Sequence, residues 1–127
     1  MMVEGGPVMI VARRLAQLCL PHFEWEEKTV YPVLALLPDI VLGKLQPQFA
    51  KVMPLLEEFN MRQAEMDSEH LLILSAIDLL SRVAFRMKNA DCADLASRLT
   101  IHETVEEKVI FPMVAMIGDH LRERREI

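Results

Sequence analysis

The chain has 127 residues, the size of one domain that can bury a hydrophobic core without disulfides or zinc as staples. With 52% hydrophobic and 26% charged residues the composition excludes a disordered chain, and a net charge of -5 with a pI near 5.3 excludes the basic face of a nucleic-acid binder. Arg122, Arg124 and Arg125 are interleaved with Glu123 and Glu126, as on a solvated helix end.

Strand signals are nearly absent, and helical spacing predicts helices throughout. The first should begin near Pro7 and run to about Leu37, where Pro38 and Asp39 break it, with Pro21 and Pro32 as places for a kink. An apolar piece from Ile40 to Met53, punctuated by Gly43, Pro47 and Pro54, has no assigned role. A long helix follows from about Pro54 to Met87 and ends at the turn-like Asn89, Ala90 and Asp91. The last runs from about Asp91 to Ile117, with Gly118 as its C-cap. The expectation is a single all-α domain, an up-and-down helical bundle. Cys19 and Cys92 are the only cysteines, no secretory signal is visible, and no apolar run approaches the ~20 residues that span a bilayer. A cytoplasmic location with reduced thiols and no membrane partner is expected.

Three stripes with alternating spacings of four and three run through these helices, each suited to be the buried seam of a bundle. The first is Val8, Ala12, Leu15, Cys19, His22, Glu26, Thr29, Val33. The second is Met66, His70, Ile73, Ile77, Leu80, Ala84, Met87, and the third Cys92, Leu95, Leu99, His102, Glu106, Val109, Met113, Met116. His22, Glu26, His70, His102 and Glu106 thus fall inside apolar stripes that contain no Lys or Arg. Carboxylates facing one core without a basic partner are strongly destabilising when ionised, so either they are protonated or something supplies positive charge. A bound dication is the simplest supplier.

The segments His22 to Pro32 and His102 to Pro112 share the pattern H-x-x-x-E-E-K-x-[VI]-[YF]-P at an offset of 102 - 22 = 80. The repeat suggests two helices related by a pseudo-twofold axis that present the same chemistry to a common centre. At about 100° per residue, a separation of four leaves His and Glu about 40° apart and one turn along, so both can reach one ion. A separation of five turns Glu27 and Glu107 about 140° away. Imidazole and carboxylate together suit iron, manganese or zinc, and the absence of a Cys cluster disfavours structural zinc. One such motif is weak evidence. Two, in register with apolar stripes and with the same Lys, aromatic and Pro downstream, make a metal site the better reading. His70 then reads as the ligand from a third helix. Cys19, Trp25 and the methionines in the stripes read as packing.

These residues resemble the hemerythrin-like, or HHE cation-binding, family, whose helical bundle holds a non-haem di-iron centre on histidines and carboxylates. The match spans His22 to Pro112, with His22-x-x-x-Glu26, Glu69-His70 and His102-x-x-x-Glu106 corresponding to the motifs of the family's second, third and fourth helices. The resemblance implies reversible dioxygen binding, or sensing of oxygen or iron, at an iron pair bridged by Glu26 and Glu106. Three departures stand out. The family's first helix and its histidine have no counterpart before His22, and Met66 and Leu74 stand where hemerythrins carry a second third-helix histidine. The family's five-residue spacing in the last helix would select Glu107, whereas the stripe selects Glu106.

Five ligands fall short of a saturated di-iron site. Water, a bridging ligand, His120 or a second chain must complete it, and an uncovered apolar face makes a homodimer the expectation. No nucleophile, phosphate loop or orienting Arg lies in the stripes, so a binding or sensing module leads. A di-iron redox enzyme acting on dioxygen, peroxide or nitric oxide, and a metal-free structural or interaction bundle, are the alternatives.

Overall fold

The computed structural model of the chain describes residues 6–44 and 48–125. Pro47 and Glu126, used above, lie outside them. The described residues form helices joined by short turns, with no strand among them. None of these helices is long and apolar enough to cross a membrane. In chain order they are α1 (Gly6–Trp25), α2 (Tyr31–Leu34), α3 (Leu37–Val41), α4 (Gln48–Arg86), α5 (Ala90–Val105) and α6 (Phe111–Arg125).

Between α1 and α2, and again between α5 and α6, the helical path widens into a π turn, at Glu26–Val30 and Glu106–Ile110. Tyr31 N–H donates to the carbonyl of Glu26, five residues back. The cause is legible in the repeat. Pro32 and Pro112 have no N–H to give to the carbonyls of Lys28 and Lys108, and their rings crowd those carbonyls, so the backbone takes in one extra residue instead of breaking. The expected kink at Pro32 is therefore a π turn.

The apolar piece from Ile40 to Met53 takes in only the last two residues of α3, and α4 begins within it at Gln48, passing through Pro54 instead of starting there. Two helix ends close in the same way. After α3, Gly43 takes φ 71 while Lys44 N–H reaches Asp39 O and Gly43 N–H reaches Ile40 O. After α4, Lys88 takes φ 55 while Asn89 N–H reaches Ala84 O and Lys88 N–H reaches Phe85 O. Both are Schellman closures, one with the favoured glycine and one with lysine. Asn89 then caps α5, its Oδ1 accepting from Cys92 N–H at 3.1 Å.

The chain groups into two compact units. One comprises Met1–His22 and Met66–Val105. It buries Val8, Leu15 and Cys19 of α1 and Met66, Ile73, Ile77, Leu80 and Ala84 of α4, all members of the first two stripes, and Ala96 of α5, which no stripe contained. Met87 is exposed because α4 has already ended.

The other unit comprises Phe23–Glu65 and Glu106–Ile127. Here Trp25 stacks on Phe59 at a centroid distance of 6.2 Å, and Phe111 meets both edge-on at 6.4 and 5.7 Å. The Arg62 guanidinium lies 5.5 Å from the Trp25 ring, a cation–π contact. Gly118 is no C-cap, since α6 continues to Arg125. A Cβ at Gly118 would stand 3.2 Å from Leu56 Cδ2, so the missing side chain allows α4 and α6 to approach closely.

The third stripe needs correction. Leu95, Val109 and Met116 are 47, 47 and 70% exposed. From Leu99 the buried face steps four residues to Glu103 instead of three to His102. Past Glu106 the extra residue of the π turn carries it to Phe111, Val114, Ile117 and Leu121.

Candidate metal centre

In the first unit, α1 delivers His22 and α4 delivers His70, with ring centroids 4.6 Å apart and the rings edge-on. Both are buried. His22 Nδ1 lies 3.2 Å from Glu69 Oε1, and His70 Nε2 lies 3.4 Å from Oε2 of Glu103 on α5. Burial, followed by the nearby His22 and then His102, lowers His70 to about 4, so its imidazole is neutral and a nitrogen lone pair is available at neutral pH. Glu103 is fully buried, and neither of its carboxylate oxygens accepts a hydrogen bond from the described residues. That burial raises it to about 7.

In the second unit, Glu26 and Glu106 open the two π turns and are 0 and 2% exposed, whereas Glu27 and Glu107 are exposed. The burial follows from helix phase, since Glu26 stands one turn beyond the buried His22 and Glu106 one turn beyond the buried Glu103, and the glutamate after each is rotated away. Burial raises Glu106 to about 7.

The first unit thus buries His22, His70 and Glu103 and leaves His102 exposed, and the second buries Glu26 and Glu106. The donor chemistry fits a borderline or hard dication such as iron, manganese or zinc. Among the described residues no Lys or Arg is buried, so three buried carboxylates have no basic side chain sharing their burial. An ion would supply the missing charge and displace protons that burial favours on Glu103 and Glu106.

The five residues expected from the sequence are thus divided between the units, with His22, His70 and the exposed His102 in the first and Glu26 and Glu106 in the second. Sequence reasoning missed Glu103. In the internal repeat it aligns with Phe23, so the repeat hid it, and the four-residue step from Leu99 is the signal that could have found it. The contact of Glu69 with His22 was also missed, for it joins residues 47 apart in the chain. No family model, curated protein or solved structure matches the chain.

Proposed function

We propose that this chain is a hemerythrin-like protein that holds non-haem iron, as a pair of ions, and binds or senses dioxygen or iron. The observation that carries the reading is the burial of two imidazoles, His22 and His70, and three carboxylates, Glu26, Glu103 and Glu106, with no Lys or Arg buried among the described residues. Such a set is costly to bury in a metal-free protein and is favourable around a dication. The recurrence of His22-x-x-x-Glu26 as His102-x-x-x-Glu106 supports a pair. Iron would supply reversible redox chemistry and open coordination positions. The chain's own part is to present neutral imidazoles, to surround the donors with apolar side chains, and to leave the His102 flank accessible to a small solute.

The test is anaerobic loading with Fe(II) followed by optical spectroscopy. A charge-transfer spectrum that changes reversibly on admitting and removing oxygen supports the reading, and a spectrum indifferent to oxygen contradicts it. Exposure of His102 also favours the redox-enzyme reading, and sustained turnover with an external reductant would select it.

A homodimer belongs to the same proposal. Leu95, on the helix that also carries the exposed donor His102, and Val109 and Met116 further along the chain leave apolar surface. A second copy would cover that surface and add donors to a site that is short of them. Sedimentation showing only monomer at micromolar concentration would overturn this part.

A further inference from the structure

Resting on the metal reading above, one contact assigns a role to a residue outside the donor set. Glu69 Oε1 lies 3.2 Å from His22 Nδ1, and the side chains differ sharply in exposure, with His22 at 0% and Glu69 at 32%. The buried partner is the ring and the wetter one is the carboxylate, so water can solvate the charge of Glu69 while it reaches inward. Glu69 is not one of the donors named above. Its neighbour His70 is, and the edge-on packing of the His22 and His70 rings at 4.6 Å holds the two imidazoles in one place.

An imidazole that ligates through one nitrogen carries its proton on the other, and an ionised carboxylate can only accept. A carboxylate at Nδ1 therefore selects the Nδ1–H tautomer, the minority form of free histidine, and leaves the Nε2 lone pair for an ion. It also fixes the rotation of the ring about χ2 and makes Nε2 more basic. We infer that Glu69 is a positioning residue that accepts a hydrogen bond from His22 Nδ1–H and commits Nε2 of His22 to the metal. The adjacent pair Glu69-His70 thus serves the centre twice from one turn of α4, His70 as donor and Glu69 through His22.

The test uses the full chain with 15N-labelled histidine, metal-free and at about pH 8, where imidazoles are neutral. Long-range 1H–15N spectra should show His22 as Nδ1–H in the wild type and in Glu69→Gln, which keeps a carbonyl acceptor. Glu69→Ala should convert His22 to Nε2–H while circular dichroism shows the helices intact. Fe(II) affinity, measured separately by competition with a chromophoric chelator, should fall about 10- to 100-fold in Glu69→Ala and less in Glu69→Gln. Wild-type His22 found as Nε2–H, or Fe(II) affinity unchanged in Glu69→Ala, overturns the inference. A wild type that shows Nδ1–H yet takes up no Fe(II) overturns the metal reading and leaves the tautomer assignment standing, so the two failures are distinguishable.

Discussion

Glu26 and Glu106, eighty residues apart, each occupy the first position of a π turn that leads into an aromatic–proline pair, and each is buried while the glutamate after it is exposed. The internal repeat is therefore a repeat of backbone geometry as well as of side chains. A π turn widens the helix where a carboxylate must point inward, and such turns concentrate at functional sites because the extra residue re-aims its neighbours.

The first prediction concerns the cause of that geometry. Pro112→Ala restores an N–H that can bond to the Lys108 carbonyl, so the helix should close to regular α form and shift the register of Glu106 against Phe111. Helix content should hold or rise, while Fe(II) affinity falls by about tenfold or more, the cost typical of displacing a ligand's support. Circular dichroism and chelator competition read the two effects. Unchanged affinity would show that proline does not maintain the turn.

The second concerns pH in the metal-free protein. Glu103 and Glu106 rise from 4.5 to about 7 on burial, so the unfolded chain ionises first and the stability present below about pH 4.5 is lost as pH rises through about 7. His70, lowered from 6.5 to about 4, contributes the opposite slope between those values. Two carboxylates outweigh one imidazole, so stability in chelator should be lower at pH 8 than at pH 5 by urea titration. Glu103→Gln should raise stability at pH 8 by about 1–3 kcal/mol, as removal of an uncompensated buried charge does, and should weaken Fe(II) binding. A Gln variant that is less stable without metal would contradict this origin of the slope.

How much of this was legible beforehand depends on whether local phase or distant contact decides a position. The all-helical class, the first two stripes and the inward choice of Glu26 over Glu27 follow from a regular helical period, and His22, His70 and Cys19 are buried where that period puts them. The third stripe failed where the period changes. One extra residue at Glu106–Ile110 sends Val109 and Met116 outward, and the His-x-x-x-Glu match drew attention to exposed His102 instead of buried Glu103. Glu69 and Gly118 could not be read from phase at all, because their meaning lies in His22 and Leu56, both far along the chain.

A third prediction tests the account of the helix ends. Lys88 holds the left-handed position that glycine holds at Gly43 in the same closure. Lys88→Gly should therefore stabilise the protein by up to about 1 kcal/mol, relieving the Cβ penalty without disturbing Ala84 or Phe85. Thermal unfolding measures it, and a lower melting temperature would contradict the assignment.

The central claim is that the buried histidines and carboxylates hold metal, and elemental analysis of the full chain purified after iron-replete expression tests it most directly. At least about one iron per chain is expected, falling sharply when the buried Glu106 is replaced by Ala. Fewer than about 0.2 metal ions of any kind per chain, in a protein whose stability iron does not raise, would contradict it.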